Sequence, residues 1–354
     1  MTLCVPTLLA LLLTFCLPTL AQTPPPPPAE KLKFGPLFKH ETVLNISLNT
    51  NIKAVLRDRG NSPVDHWAVL TYGRKKKKPL ALPVKVRVRG HFRKGHCAFP
   101  PLLLDIDKRK KKNSVFAYQN RLKLVTHCSS GDYIEREYLV YKLYNLLTDY
   151  SFRVRPVRVT YEDSAGTRKP EIQNAFLIED EGDMAKRNKA KPFKLKQVSM
   201  TRVDSMQMAT VSVFEFMIGN TDWSVPFMHN VKLLARNEEG PPVPVPYDFD
   251  HSGIVSAHYA HPPEILELSS VRERLYRGLQ YSPETFQKVF DRFRQVKPQM
   301  YALYTTNTTL SSKYIKTTIN YLDDFYAIID DPKSLKRVFI YGGGKKINAV
   351  IKGL

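Results

Sequence analysis

The sequence is poor in cysteine, glycine and tryptophan: its 354 residues include 4 Cys, 16 Gly and 2 Trp. So few cysteines exclude a small disulfide-dense scaffold, and so little glycine excludes a collagen-like chain. After the first 21 residues no apolar run reaches the length of about 20 residues that a bilayer span requires, so we expect no transmembrane span. With 43% hydrophobic and 25% charged residues, the chain is not wholly disordered. We expect one large globular domain or two lobes.

Negative charge is also scarce. The chain has 54 basic and 33 acidic residues, which give a net charge of +21. This excess predicts attraction to phosphate-rich, polysaccharide or lipid polyanions. Compact lysine clusters lie at Arg74–Lys78 and Lys108–Lys112, and a looser basic set follows from Arg187 to Lys196. No aromatic residue interleaves with the first two clusters, so we expect no specific nucleic-acid partner. The clusters are either solvated loops or a polyanion-binding surface.

Charged residues are absent from the first 21 positions, and Val5–Leu20 is apolar. The small-residue ending Thr19–Ala21 predicts a signal peptide over residues 1–21, followed by a proline-rich linker over 22–31. We therefore expect an exported protein, periplasmic or secreted. Removal of the signal peptide leaves Cys97 and Cys128, which predict one disulfide, with two separate buried thiols as the alternative.

Hydrophobic periodicity divides the chain into a strand-rich half over residues 32–180 and a helix-rich half over 181–341, before a flexible basic tail over 342–354. Alternation of Val84, Val86 and Val88 with basic residues is typical of a strand with one buried face. One helix interrupts the strands at Tyr133–Leu147. The later helices are expected at Val203–Ile218, Pro263–Tyr276, Pro283–Tyr304 and Ser311–Ile329, with a strand pair at His229–Leu234 and Val243–Phe249. The fold class expected is α+β, with a β-rich N-terminal lobe and a mostly helical C-terminal lobe.

Acidic and amide side chains gather around the predicted strand pair. Asp222 follows a predicted helix, Asn230 begins one strand, and Asp248 and Asp250 end the next. An antiparallel pairing brings these strand ends together. Phosphoryl transfer uses such groups: one carboxylate orients the attacking hydroxyl, while other carboxylate and amide oxygens hold a divalent cation. The alternative interpretation is that these carboxylates only cap turns.

Several blocks, in this order, resemble the CotH-like kinases, a spore-coat family with an atypical protein-kinase-like fold. The blocks are Val88–Arg93, Leu122–Leu124, Arg136–Glu137, Gly219–Asp222 with Asn230, and Pro246–Asp250. Val88–Arg93 resembles the family's Arg-Gly-Asn-Ser motif, and Leu122–Leu124 together with Arg136–Glu137 resembles the entry to its small-lobe helix. Gly219–Asp222 with Asn230 resembles its catalytic loop, and Pro246–Asp250 resembles its Pro-Trp-Asp-Phe-Asp motif. His91-Phe92 replaces Asn-Ser, and Tyr247 replaces Trp. The blocks span about half of the chain, and the resemblance implies a two-lobed protein-kinase-like fold.

Carried over position by position, the resemblance implies a role for each acidic or amide residue. Asp222 would be the catalytic carboxylate, Asp248 the main metal ligand, Asn230 the second ligand and Asp250 an additional one. The cofactors implied are ATP and Mg²⁺ or Mn²⁺.

The nucleotide-binding residues are less sharply indicated. The strand after the Arg-Gly motif contains no lysine, so Lys123 on the next strand is the expected nucleotide anchor, unless it is only a solvated strand residue. Glu137 matches the family block as its helix partner, whereas helical spacing favours Glu135. Arg89 and Arg93, which flank Gly90, are expected to contact phosphates.

The function expected is that of an exported CotH-like kinase, which transfers the nucleotide γ-phosphate to a hydroxyl such as that of Ser or Thr on an exported, acidic protein. The alternative is a non-catalytic, pseudokinase-type scaffold that binds envelope polyanions through its basic surface. Hydrolase motifs give no competing site, because His251, His258 and His261 match no zinc-helix spacing and no Gly-x-Ser-x-Gly elbow occurs.

Overall fold

The structure is a computed structural model that describes residues 1, 35–74, 77–107, 114–128, 132–236 and 240–342. The expected signal peptide beyond residue 1, the linker, the Lys108–Lys112 cluster and the tail beyond residue 342 lie outside the described residues. The described residues from Gly35 to Gly342 form one compact unit.

Seven strands form a closed barrel in the order β1-β2-β3-β4-β5-β7-β6. They are β1 (Leu44–Thr50), β2 (His66–Arg74), β3 (Lys77–Val88), β4 (Leu102–Ile106), β5 (Arg121–Val125), β6 (Val154–Asp163) and β7 (Glu171–Ile178). Neighbouring strands are antiparallel except β1 and β6, whose parallel pairing aligns Leu44 with Val157 and closes the barrel. Alternate side chains such as Val84, Val86 and Val88 point inward and are buried.

Helices and a second, three-stranded sheet complete the fold. The helices are α1 (Ile52–Arg57), α2 (Phe92–His96), α3 (Asp132–Leu147), α4 (Glu181–Arg187), α5 (Ser205–Ile218), α6 (Pro283–Thr305), α7 (Ser312–Asp330) and α8 (Pro332–Leu335), with a π-helical turn at Lys336–Ile340. The sheet has the order β10-β9-β8, formed by β8 (Lys191–Phe193), β9 (Val231–Ala235) and β10 (Val243–Pro246). Its core is continuous with that of α3, α5, α6 and α7, whereas the barrel interior forms a second apolar cluster.

The expected two-lobed protein-kinase-like fold is wrong. The β-rich region is a closed seven-stranded barrel, accompanied by a second small sheet and helices, and this is not a typical two-lobed kinase architecture. Alternating hydrophobicity identifies which face of a strand is buried, but it does not identify the partner of an edge strand. The hydrophobic pattern therefore did not predict the parallel β1–β6 pairing that closes the barrel.

The helix expected at Pro263–Tyr276 is also wrong, since the structure has only a 3₁₀ turn at Glu264–Leu266 there. Three arginines from the following irregular segment hold it against the rest of the chain. Arg272 donates to the Gly253 carbonyl, Arg274 to the Met217 carbonyl and Arg277 to the Thr221 carbonyl. Hydrogen bonds to carbonyls elsewhere in the chain thus hold the segment, in place of the regular backbone hydrogen bonds of a helix.

The structure contains the expected disulfide between Cys97 and Cys128, which joins the end of α2 to the segment after β5. Within the described residues, no helix combines the length and the hydropathy needed to cross a bilayer.

Candidate functional site

A cavity of about 430 Å³ opens beside β5, α2 and the loops that follow α5 and β10, a size typical of small-ligand sites. It is lined by seven of the eight site residues expected from the sequence. These are Arg89, Arg93, Lys123, Asp222, Asn230, Asp248 and Asp250. The eighth, Glu137 on α3, is fully buried and reaches the site through its bond to Arg93.

The loop that carries Asp222 is held by its own backbone and by a distant arginine. Helix α5 ends at Gly219, whose φ of 66° is a left-handed conformation that glycine adopts without strain. The Asn220 side chain then accepts a hydrogen bond from the Asp222 amide at 3.0 Å. The buried Arg277 donates to the carbonyls of Thr221 and Trp223 on either side of Asp222. The backbone on both sides of Asp222 is therefore held in place.

Both carboxylate oxygens of Asp222 are engaged. His229 Nε2 lies 2.8 Å from Oδ1, and Asn230 Nδ2 donates to Oδ2 at 3.1 Å and to the Asp222 carbonyl at 2.7 Å. An antiparallel bridge between Ser224 and His229 folds the chain back to make these contacts. Sequence reasoning missed His229, and its position next to Asn230 is the signal that would have found it. Together, His229 and Asn230 fix the rotamer of Asp222.

The backbone around the cavity is strained at three residues other than glycine. Met228, Asn230 and Asp248 have φ values of 54°, 52° and 66°. Such conformations cost about 1–3 kcal/mol each and persist only where the surroundings impose them. They orient His229 and two of the three expected metal ligands, Asn230 and Asp248.

Asp248 lies next to Asn230, as the strand pairing predicted. β10 and β9 pair Pro246 with Val231, and the Tyr247 amide donates to the Asn230 carbonyl at 3.0 Å. Burial, followed by the negative charge of Asp250, raises the pKa of the Asp248 carboxyl. A cation nearby would favour its charged form.

Asp250 belongs to a buried charge cluster with Arg93 and Glu137. Arg93 donates from Nε to Asp250 Oδ2 at 2.8 Å and from its terminal nitrogen to Glu137. Tyr259 also donates to Asp250 Oδ2, at 3.1 Å. Although burial opposes ionisation, Arg93 and then His251 lower the pKa of Asp250, whereas burial raises the pKa of Glu137 to about 8. Arg93 thus ties α2 to α3 and to the Asp250 loop.

Lys123 does not pair with either glutamate considered for it. Glu137 bonds Arg93, and Glu135 accepts a hydrogen bond from Asn307 at 2.8 Å. Lys123 Nζ instead lies 5.0 Å from the centre of the Tyr247 ring. Burial, followed by the positive charges of Arg89 and Lys232, lowers the Lys123 pKa to about 8. Arg89 and Lys123 line the same cavity, so this part of it carries positive charge that suits an anion.

Oxygen donors of the chemical kind that hard divalent cations prefer line the cavity near Asp248. Among the described residues, no group of three or more His, Cys, Asp or Glu side chains is arranged to hold a metal ion. Mg²⁺, however, commonly uses one or two carboxylates and completes its shell with water and substrate phosphates. The Asp248 carboxylate, the Asn230 amide oxygen and the unshared Asp250 oxygen are donors of that kind.

No protein-family model matches the chain, and no curated protein matches it significantly. The family resemblance and the roles that it implies therefore stay predictions.

Proposed function

We propose that the chain is a metal-dependent phosphotransferase, which moves the γ-phosphate of ATP to a hydroxyl such as that of Ser or Thr. The observation that carries the proposal is the single cavity lined by Asp222, Asn230 and Asp248 together with Arg89 and Lys123. The proposal rests on this local arrangement and on the resemblance of its motifs to CotH-like kinases, and it makes no use of a kinase fold.

The acidic part of the cavity would act on the acceptor hydroxyl. Asp222, whose rotamer is set by His229 and Asn230, would accept a hydrogen bond from the hydroxyl and take its proton. The hydroxyl oxygen would bond to the γ-phosphorus as the bond from that phosphorus to the β–γ bridging oxygen breaks, and ADP would leave. The carbonyl contacts of Arg277 would keep Asp222 in place during this step. Positioning of this kind supplies much of the rate enhancement in phosphoryl transfer.

The basic part of the cavity would hold the nucleotide phosphates. Arg89 and Lys123 would pair with phosphate oxygens, and Arg93 would keep α2 against the cavity through its bonds to Glu137 and Asp250. Asp248 and Asn230, with Asp250, would hold Mg²⁺ or Mn²⁺. The ion would neutralise the negative charge of the phosphates.

The protein is further proposed to be exported, periplasmic or secreted, and to act on an acidic exported protein. The alternative, a non-catalytic scaffold for envelope polyanions, depends mainly on lysine clusters that lie largely outside the described residues.

Calorimetry with ATP, in the presence of Mg²⁺ or Mn²⁺, tests the nucleotide site directly. We expect binding that requires the metal and is lost in Asp248→Ala, because this change removes the main anionic ligand. Asp105→Ala, an exposed carboxylate on β4 outside the cavity, is the matched control and should bind as the wild type does. Absence of heat from a folded wild-type protein would contradict the proposal.

Transfer is tested separately with Asp222→Asn. This variant keeps the size and hydrogen-bonding shape of Asp222 but removes its basicity, so we expect metal-dependent ATP binding to persist while transfer falls by about 10²–10⁴. Wild-type binding without transfer would indicate a pseudokinase. Salt-sensitive binding of polyanions without nucleotide binding would favour the scaffold.

A further inference from the structure

A second pocket, of about 600 Å³, is formed by residues of α5, of the irregular segment after Glu264–Leu266, of α7 and of the π-helical turn. Its volume is within the range of small-ligand sites. Among the described residues, it shares no lining residue with the cavity that Asp222 lines. The nucleotide, metal and acceptor sites of the proposed function therefore do not account for it.

Apolar and aromatic side chains make up much of the lining of this pocket. Phe216, Tyr276 and Tyr321 are each at most 5% exposed, and Ile328 and Val338 are half-buried. Such a lining is typical of sites that take up the apolar body of a small organic molecule. An inorganic ion alone would leave these side chains without an apolar partner.

Three arginines line the same pocket and give it positive charge. They are Arg272, Arg274 and Arg337, and among the described lining residues Asp324 is the only acid. The sequence after Gly342 contains no Asp or Glu that could add negative charge. Burial, and to a smaller extent the positive charge of Arg272, lower the pKa of Arg274. A bound anion would favour the charged guanidinium, so the lining suits an anion.

Two of these arginines are held in place by backbone carbonyls and by one aromatic ring. Arg272 Nη1 donates to the Gly253 carbonyl at 3.2 Å. Arg274 donates from Nε to the Met217 carbonyl at 3.2 Å and from Nη2 to the Tyr321 carbonyl. Both guanidinium groups lie over the Tyr321 ring, 4.6 and 3.6 Å from its centre. Because a guanidinium has five N–H donors, these bonds order the two side chains and leave donors for a ligand.

We propose that this pocket binds a small organic anion, whose phosphate or carboxylate head group is held by the arginines and whose apolar body lies against the aromatic side chains. Guanidinium groups bind both kinds of head group through paired N–H bonds. The proposal follows from the lining of this pocket and does not depend on the proposed function.

Calorimetry without nucleotide or metal tests the site with probes that separate the head group from the body. The anionic probes are 1-naphthyl phosphate and 1-naphthoate. The comparison compounds are 1-naphthol, which lacks the charge, and methyl phosphate, which lacks the apolar body. We expect at least one anionic probe to bind, and both comparison compounds to bind at least about tenfold more weakly. Whichever anionic probe binds more tightly identifies the preferred head group.

Two substitutions of exposed lining residues should shift the affinity in opposite directions. Arg337→Gln removes a positive charge and should weaken binding by about tenfold, whereas Asp324→Asn removes the negative charge and should strengthen it by about threefold. Lys336→Gln is the matched control, because it removes a positive charge from the adjacent exposed residue, which does not line the pocket. It should bind the probe as the wild type does.

The proposal is overturned if the wild type binds neither anionic probe, or if a comparison compound binds as tightly as the anions. It is also overturned if Arg337→Gln binds like Lys336→Gln, or if Arg337→Gln and Asp324→Asn do not shift the affinity in opposite directions. Binding that is lost in Lys123→Met but kept in Arg337→Gln would assign the probe to the cavity that Asp222 lines, and would overturn it as well. Because no ATP or metal is present, failure of the phosphotransferase proposal would leave these results unchanged.

Discussion

Arg93 is the residue on which most of the site's buried charge depends. Its guanidinium lies between Glu137 and Asp250, and all three side chains are at most 9% exposed. Removal of one member of a buried ion cluster leaves uncompensated charge in a poorly solvated place. The sequence-based expectation that Arg93 contacts phosphates stays a prediction, and the structure shows its role in the buried charge cluster.

We expect Arg93→Met to lower the free energy of unfolding by about 3–5 kcal/mol, because two carboxyl groups lose their shared cation. Urea denaturation of the disulfide-intact protein measures this change. Arg121→Met is the control, since Arg121 pairs with Asp105 at the surface and its loss should cost less than about 1 kcal/mol. Equal effects of the two substitutions would mean that the buried cluster contributes no more than a surface pair.

If the cavity binds phosphate as proposed, Lys123 makes that binding dependent on pH. The free side chain has a pKa of about 8, so it is charged below that pH and neutral above it. Bound phosphate favours the charged form, and ATP affinity should therefore fall as the pH rises above 8, by up to about tenfold per pH unit. Calorimetry across this range measures the fall.

The matched variants for this pH dependence are Lys123→Met and Lys53→Met. Lys123→Met should bind ATP weakly, with little change above pH 8, whereas the exposed Lys53→Met should retain the wild-type profile. An unchanged profile in Lys123→Met would assign the dependence to another group.

Sequence spacing predicted the part of the site that depends on local structure. Asp222, Asn230 and Asp248 flank one hairpin and one helix end, so strand periodicity was enough to group them. The contacts between residues distant along the chain were not predicted by any spacing in the sequence. The bond of Glu137 to Arg93 and the hold of Arg277 on the Asp222 loop depend on tertiary packing.

At the scale of elements, α2 is a five-residue helix that carries Arg93 and is too short to be stable by itself. The Cys97–Cys128 disulfide fastens its end to the segment after β5, 31 positions away. Its sequence, Phe92–His96, shows no helical periodicity, and so α2 was not expected. The longer α3, α5, α6 and α7 follow their expected ranges within a few residues because each has several turns of apolar spacing.

We expect Cys97→Ser/Cys128→Ser to lower the free energy of unfolding by about 3 kcal/mol, since the loop between the cysteines gains freedom in the unfolded chain. Denaturation with and without a reducing agent measures the effect, and reduction should change only the wild type. A wild type that is equally stable when reduced would show that the bond contributes little.

At the scale of the whole molecule, the parallel β1–β6 pairing determines the architecture, because it removes both free edges of the seven-stranded sheet. The sequence indicated seven strands over this region but not their closure. Strand existence is a local property, whereas closure depends on the stagger and tilt of all the strands together.

The inward and outward positions of β1 give a test of the closed barrel. Ile46 faces the interior and is 3% exposed, so Ile46→Asp should prevent stable folding, whereas the neighbouring Ser47→Asp, on the outer face, should leave thermal unfolding nearly unchanged. Hydrogen exchange should also show protected amides along both β1 and β6 in the wild type. Rapid exchange on β6 throughout would contradict the parallel pairing.

The left-handed backbone at Met228, Asn230 and Asp248 has an evolutionary consequence. Glycine adopts this conformation freely, so Met228→Gly would relieve local strain while making the hairpin beside the cavity looser. Populations selected only for heat tolerance should therefore drift toward glycine at such positions, and populations selected for the work of the cavity should resist that drift. The residues found at these positions in related chains would therefore show whether selection has acted mainly on thermal stability or on the function of the cavity.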